Sequence, residues 1–446
     1  MSLDELRKIM QDHSIVGSGG AGFPSYAKLS EGAEFLVINC AECEPLIYTD
    51  FMLMREKMDK IVGGAKIVME KTGIKHTYIS IKEHRGHMLG YTDGQVLDEN
   101  VTVKLLPNVY PMGDEINLIY ETTGRVVKPG CLPITSGIIV FNGETVYNVW
   151  RAYNLNRPVV SDWFTIGGDI PERYVVKTPI GTRLKDIFDQ FGIKFDESTH
   201  TLINGGPSMG HIDNLSTAIV EKTSKSFLIL PNTSRAVMNK KIHIDDMLRR
   251  AASACCGCSR CTEMCPRHTL GYPIEPHKMI RVANGTAAAD HPELITTATL
   301  CCSCGICAEV CCQEISPKDV ILNLKGILAK NKMRFTPEEG KEYKLSEDRP
   351  YRMIASHRWE DLLGVRKFDV VPEFVFEKIK VKRVEIPMAS HIGAKAIPIV
   401  KVGDVVEEAQ KIADAAPGLS VPQYASMAGK VTFVDENKVV IEAVTV

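Results

Sequence analysis

Cys255-Cys256-Gly257-Cys258-Ser259-Arg260-Cys261-Thr262-Glu263-Met264-Cys265-Pro266 is matched further along by Cys301-Cys302-Ser303-Cys304-Gly305-Ile306-Cys307-Ala308-Glu309-Val310-Cys311-Cys312. Both stretches carry the spacing C-x2-C-x2-C-x3-C. Of 14 cysteines, all but Cys40, Cys43 and Cys131 lie in them. A disulfide framework spreads its cysteines along a secreted chain, and this one does not. Zinc sites pair two C-x2-C units across a long loop, which two full four-cysteine runs do not resemble. The spacing is that of a two-cluster iron–sulfur carrier. Each C-x2-C-x2-C wraps three thiolates around one cubane, and the fourth cysteine of each copy turns away to the other cubane. Cys255, Cys258, Cys261 and Cys311 are therefore assigned to one 4Fe–4S cluster, and Cys301, Cys304, Cys307 and Cys265 to the other. Pro266 suits the turn after a fourth ligand, and Cys312 stands in its place in the second copy. Cys256, Cys302 and Cys312 sit beside assigned ligands and read as small buried residues shielding the clusters.

Working outward, helical spacing at Ile242–Ala254 and Pro317–Asn331 brackets this core, giving a two-cluster ferredoxin unit over 240–331. Residues 1–155 alternate helical and strand patterns. Strand runs fall at Phe35–Asn39, Thr77–Ile81 and Gly137–Asn142, with a helix over Phe51–Glu70, so a largely parallel α/β sheet is expected. Residues 157–235 read as a small α+β module of β-grasp size. Its strands are expected at Val159–Gly167 and Tyr174–Lys177, with a helix over Thr182–Phe191 capped by Thr182. Residues 335–380 are charged and Pro-interrupted and read as a connector. Residues 380–446 carry short apolar runs between Gly, Pro, Asp and Asn, which points to a small all-β sandwich.

The 446-residue chain has 53 Lys+Arg against 55 Asp+Glu, a formal net charge of −2. That balance gives no electrostatic case for nucleic acid or an anionic membrane surface. No apolar run reaches the ~18 residues of a transmembrane span. The first residues lack an apolar signal core, so a cytoplasmic location is expected.

Gly17-Ser18-Gly19-Gly20-Ala21-Gly22-Phe23-Pro24 lets backbone N–H groups approach an anion closely, and Lys28 can neutralise a phosphate. The loop does not follow a strand, so it is not the dinucleotide fingerprint. Asn39-Cys40-Ala41-Glu42-Cys43-Glu44-Pro45 follows a strand, where α/β sheets bind ligands. Gly113-Asp114-Glu115 and Asn142-Gly143-Glu144-Thr145 are similar polar clusters at element ends.

GSGGAGFP, NCAECEP, GDE-x4-Y-x2-TGR-x2-KPG and VFNGET, in this order, resemble the flavin subunit of respiratory complex I and the RnfC-type electron-transport proteins. The whole order of units is similar to the PduS-like cobalamin reductases of bacterial microcompartments. The resemblance implies FMN in the N-terminal domain, NADH as donor and two 4Fe–4S clusters. It places Gly17, Gly19, Gly20 and Lys28 at the FMN phosphate, with Gly22 in the same loop. Asn39 and Glu42 match flavin-ring and ribityl contacts, and Gly113, Asp114, Glu115 and Asn142 match the other half of that site. Phe23 and Glu44 match positions touching the nicotinamide nucleotide. Ser18 and Ala41 stand where the complex I pattern has Arg and Asp. Gly167–Gly210 resembles a soluble-ligand-binding (SLBB) β-grasp domain. The C-terminal unit resembles a lipoyl-like barrel-sandwich hybrid, but Ala425–Gly429 has no carrier lysine, so no lipoylation or biotinylation is expected.

The chemistry agrees with the combination. A hydride carries two electrons and a cubane accepts one, so a flavin belongs between them, and no acid–base catalytic residue is required. The implied function is an oxidoreductase passing electrons from NADH through FMN and both clusters to cobalamin, within a microcompartment. Implied partners are NADH, cobalamin, and an adenosyltransferase or microcompartment enzymes, and a homo-oligomer is compatible with these. The alternatives are an RnfC-like subunit feeding a protein partner, and a non-enzymatic electron-carrying scaffold.

Overall fold

A computed structural model describes residues 2–283, 292–376 and 379–444. The N-terminal sheet has five strands in the order Val96–Asp98, Val101–Leu106, His76–Lys82, Phe35–Asn39 and Ile138–Asn142. The last four run parallel, and the first is an antiparallel edge. Alternation sends Leu36 and Ile38 to one face and Val37 to the other. Both faces are covered, as a parallel sheet requires. On one side lie the helices Thr49–Thr72 and Gly143–Leu155, packed so closely that a Cβ on Gly64 would lie 2.3 Å from the Val146 carbonyl oxygen. On the other side, Glu115–Thr123 packs with Leu270, Tyr272, Met279, Ile321 and Leu328 from the cysteine-rich region. The cysteine unit is thus pressed against the back of the sheet whose strand ends build the site.

A second, mixed sheet has six strands, ordered His211–Asp213, His200–Asn204, Ser226–Pro231, Ser161–Gly168, Tyr174–Pro179 and Phe374–Phe376. Its helix is Leu184–Phe191, and its N-cap is Arg183 rather than Thr182. Thr182 instead donates its hydroxyl to the Pro179 carbonyl at 2.6 Å, a bond that closes the preceding turn.

The connector reading of 335–380 is corrected. Ile354–Ala355 pairs with Val109–Tyr110, Phe374–Phe376 extends the second sheet, and Ser356–Leu363 is a helix. Trp359 in that helix is fully buried and stacks on Tyr110 with centroids 4.5 Å apart. Charge and proline masked these contacts, because each element is too short to show a period.

At the C-terminus, Arg383–Pro387, Lys438–Glu442, Gly429–Val434 and Val405–Val406 face a three-stranded partner sheet across a core of Val384, Ile386, Ile412, Val431 and Ile441. This sandwich holds the underside of the glycine-rich loop, with Ile392 N donating to Gly22 O at 3.0 Å. It also meets the second module at Lys222, which is fully buried. The Lys222 ammonium donates to Gln423 Oε1 at 2.6 Å and to the Ser14 hydroxyl. Burial pulls this lysine from 10.5 to about 7. The unfolded chain keeps its proton up to ~10.4, so between these values the unfolded state binds more protons and stability rises with pH. Relative to Lys222→Met, the parent is expected to gain up to ~1.4 kcal/mol per pH unit across that window. Paired urea midpoints from pH 7 to 10 check this, and parallel curves would contradict it.

Candidate functional site

The glycine-rich loop is pinned at its base, where Gly17 N donates to Phe23 O at 2.8 Å. Its flank rests on the Gly143–Leu155 helix, with Ser18 N donating to Thr145 Oγ1 at 3.2 Å. A Cβ on Gly19 would lie 2.8 Å from Asn142 Oδ1, and Gly20 has φ +97° with open space beside it. Loop amides and a helix N-terminus therefore frame one concave rim, an arrangement suited to an anion. Asn39, at a strand end, donates Nδ2 to Gly113 O at 3.0 Å and bridges two rim segments.

These elements enclose a cavity of about 490 Å³. It is lined by Gly19, Gly20, Asn39, Glu42, Glu44, Gly113 and Asn142, all of them residues that the sequence motifs point to. Gly17, Gly22, Phe23, Lys28, Asp114 and Glu115 are not among its lining residues. Lys28 pairs with Glu115 at 3.0 Å and donates to Val140 O at 3.2 Å. Asp114 caps the Glu115–Thr123 helix and takes a two-pronged bond from Arg267, Nη2 to Oδ1 at 2.6 Å and Nε to Oδ2 at 2.8 Å. It joins the flavin-type domain to the cysteine unit.

Both glutamates of the 39–45 motif have carboxylates engaged by protein. Glu42 accepts Asp50 N at 2.6 Å, Phe51 N at 3.0 Å and Arg85 Nη1 at 2.8 Å, so it caps the Thr49–Thr72 helix. Glu44 accepts Ser208 N at 2.8 Å and lies 2.8 Å from the Tyr110 hydroxyl. A Cβ on Gly206 would approach Glu44 Oε2 to 2.0 Å, so only glycine lets the 205–210 turn close over it.

That turn belongs to the second module, whose contribution to the cavity sequence reasoning missed. Asn204, Met209, His211, Glu221 and Lys225 line the wall facing the glycine loop. The GGP turn at 205–207 was the available signal. Lys225 donates to Glu144 Oε2 at 2.9 Å and lies 3.6 Å from Asp50 Oδ1. Burial and the neighbouring Glu144 push the Asp162 carboxyl upward, while the Lys225 ammonium lies beside Glu144 and Asp50.

The two cysteine copies fold alike. Gly257 and Ser259 have φ +68° and +60°, and their counterparts Ser303 and Gly305 have +64° and +86°. Short helices Arg260–Glu263 and Ile306–Glu309 follow. The copies interleave: the thiols acting electrostatically on Cys261 are Cys311, Cys258 and Cys255. Cys265, Cys301, Cys302, Cys304 and Cys307 line one buried hollow with Ile274 and Ile321. Burial raises Cys261 to about 12 and Cys301 to about 11, and pushes Cys307 up as well. Such thiols hold their protons until a cation displaces them, which is the chemistry of a thiolate metal centre. Cys302 lines both this hollow and the 490 Å³ cavity, so the two sites share a wall.

The shielding reading is corrected for Cys256 and Cys312, which are exposed. Cys312 lines an open hollow with Cys258, Cys311, Arg260, Arg352 and Leu362, and Cys256 lies beside Cys258 and Cys312. The cysteine unit thus has an inner thiol group against the cavity and an outer one facing solvent. Among the described residues, no helix is long and apolar enough to cross a membrane.

The fit of geometry to cofactor agrees with comparisons to known proteins. Residues 10–151 match the Nuo51 FMN-binding domain family, 254–316 the 4Fe-4S dicluster domain family and 375–445 the RnfC barrel sandwich hybrid domain family. The cobalamin reductase PduS of Salmonella typhimurium is 33% identical over 99% of this chain and 97% of its own. PduS of Citrobacter freundii is 31% identical over 98% and 96%. One subunit of the proton-translocating ferredoxin:NAD(+) oxidoreductase complex of Clostridium ljungdahlii is 33% identical over 60% of this chain and 57% of its own. An FMN-type α/β domain, interleaved cysteine loops, a C-terminal sandwich and full-length similarity together establish that this chain is an oxidoreductase-type member of the PduS cobalamin reductase family.

Proposed function

We propose that this protein transfers electrons from NADH, through FMN and two 4Fe–4S clusters, to cobalamin. When bound, the flavin accepts a hydride and releases electrons singly, and the clusters carry them one at a time. The observation that carries the reading is the wall shared by the large cavity and the inner cysteine hollow, formed at Cys302.

Gly19, Gly20 and the start of the Gly143–Leu155 helix present amides to the FMN phosphate, with Gly17 and Gly22 shaping the loop. Lys28 contributes charge from behind, through its pair with Glu115. Asn39, Asn142 and Gly113 offer amide and carbonyl groups to the ring and ribityl chain. Glu42 and Asp114 act by fixing the helix starts that frame the site, and Glu44 by holding the second module's turn over it. Phe23 stands at the loop's exit, toward the nucleotide. Cys265, Cys301, Cys304 and Cys307 hold the inner cluster, and Cys255, Cys258, Cys261 and Cys311 the outer one. The functional units proposed are 1–155, 157–235 (SLBB-type), 240–331 and 380–446.

Similarity to the cobalamin reductases supports cobalamin as the acceptor; the partners proposed with it are an adenosyltransferase or other microcompartment enzymes, and the location proposed is the microcompartment interior. A second reading, delivery to a redox protein, is favoured by the open, mixed-charge hollow at Cys258. Anaerobic stopped-flow separates them. NADH is expected to bleach the flavin and then the clusters, and aquocobalamin to reoxidise them within the same trace. A flavin left oxidised by NADH overturns the donor. Clusters left reduced by aquocobalamin overturn the acceptor and leave the protein partner.

A further inference from the structure

Two thiols at the outer cluster are surplus to the ligand sets: Cys256 follows ligand Cys255, and Cys312 follows ligand Cys311. They stand 56 positions apart in sequence, yet their Sγ atoms lie 3.9 Å apart. Both are exposed, and with Cys258 they form a group whose sulfurs all lie within 4.8 Å of one another. The interleaving forces this meeting. Cys311 crosses to the first copy to complete the outer set and brings Cys312 beside Cys256. The third surplus thiol, Cys302, has a different setting, half-buried between the cavity and the inner hollow with ligand Cys304 as its neighbour.

We propose that Cys256 and Cys312 are a redox-active dithiol–disulfide pair on the solvent side of the outer cluster. The inference rests on the ligand assignment above, which leaves both thiols free of iron. Closing the bridge needs the sulfurs to move from 3.9 Å to about 2.05 Å, within reach of side-chain rotation at two exposed positions. Thiol–disulfide exchange also requires access, which both of these exposed residues have. In the closing direction, one thiolate attacks a low-molecular-weight disulfide, releasing one thiol and leaving a mixed disulfide. The second cysteine then displaces the other thiol. In the opening direction, two electrons and two protons from water cleave the S–S bond to two thiols; a cluster held by Cys255, Cys258, Cys261 and Cys311 would supply those electrons one at a time. The closed bridge ties the two ligand loops together across the face where electrons leave. The pair therefore couples electron exit to the surrounding thiol–disulfide balance.

The test uses full-length, cluster-loaded protein prepared without oxygen. It is incubated with oxidised glutathione, alkylated with iodoacetamide and digested without reductant for mass spectrometry. The expected product is a peptide pair linked between Cys256 and Cys312, with iron content unchanged. NADH, with no thiol added, is expected to restore both alkylatable thiols. Cys256→Ser and Cys312→Ser should each keep their iron and lose the link. Separate alkylation of both cysteines after oxidation, with iron retained, would overturn the proposal. Loss of iron in either serine variant would also overturn it, by making that residue a ligand, and would overturn the ligand assignment with it. A link reopened by dithiothreitol but not by NADH, in protein whose clusters NADH does reduce, would refute reduction through the cluster.

Discussion

Cys307→Ala is expected to leave the flavin in place, remove about half the iron and slow electron delivery beyond the flavin by ~100-fold or more. Cys307 is buried in the inner hollow, and its electrostatic neighbours are Cys301, Cys265 and Cys261. Two of these belong to the inner thiol group and Cys261 to the outer one. Methyl cannot replace a thiolate as a ligand, and no surplus thiol but Cys302 lines that hollow. Cys258→Ala, at the exposed outer group, provides the contrast. It should remove a similar amount of iron, yet flavin-to-cluster transfer within the protein should persist while the external acceptor is starved. Iron assay and stopped-flow on the two variants check this. Equal flavin-to-cluster rates in both would show that the inner and outer order is wrong.

Asp114→Ala is the second large expectation. The Arg267–Asp114 pair is nearly buried, with side-chain exposures of 14% and 8%. Removing the carboxylate leaves a buried guanidinium uncompensated, which costs about 3–5 kcal/mol. It also strips the cap from Glu115–Thr123, for roughly 1 kcal/mol more. Because this pair links the flavin-type domain to the cysteine unit, the urea midpoint should fall, with cluster absorbance lost earlier than in the parent. The double variant Asp114→Leu with Arg267→Met should recover most of the loss, since apolar replacement of both partners of a buried pair is often neutral or better. A single variant as stable as the parent would contradict the role given to the pair.

Much of the site is legible because its chemistry is written in residues that sit close together in sequence. The C-x2-C-x2-C-x3-C spacing dictates both loop conformations, down to matched left-handed residues at Gly257 and Ser303. The glycine loop, Asn39, Gly113 and Asn142 follow the same logic, each at an element end that the strand pattern locates. What escapes is long-range. Nothing local says that Gly206 must be bare because Glu44 lies under it, or that Lys225 balances Asp50 and Glu144. Glu42 lines the cavity and also accepts from the first amides of the Thr49–Thr72 helix, and Asp114 caps Glu115–Thr123; neither capping role is visible from the local motif. The 354–376 elements escape for another reason. Their strands gain meaning only from the Val109–Tyr110 and Tyr174–Pro179 edges they pair with. Spacing alone makes Cys256 and Cys312 look like buried packing, and only the interleaved fold sets them at the surface together.

Metal and flavin content of the anaerobically prepared protein tests the central claim most directly. About eight irons, matching acid-labile sulfide and one FMN per chain are expected of two cubanes beside one flavin. Zinc in place of iron, or iron for only one cubane in otherwise intact protein, would contradict it.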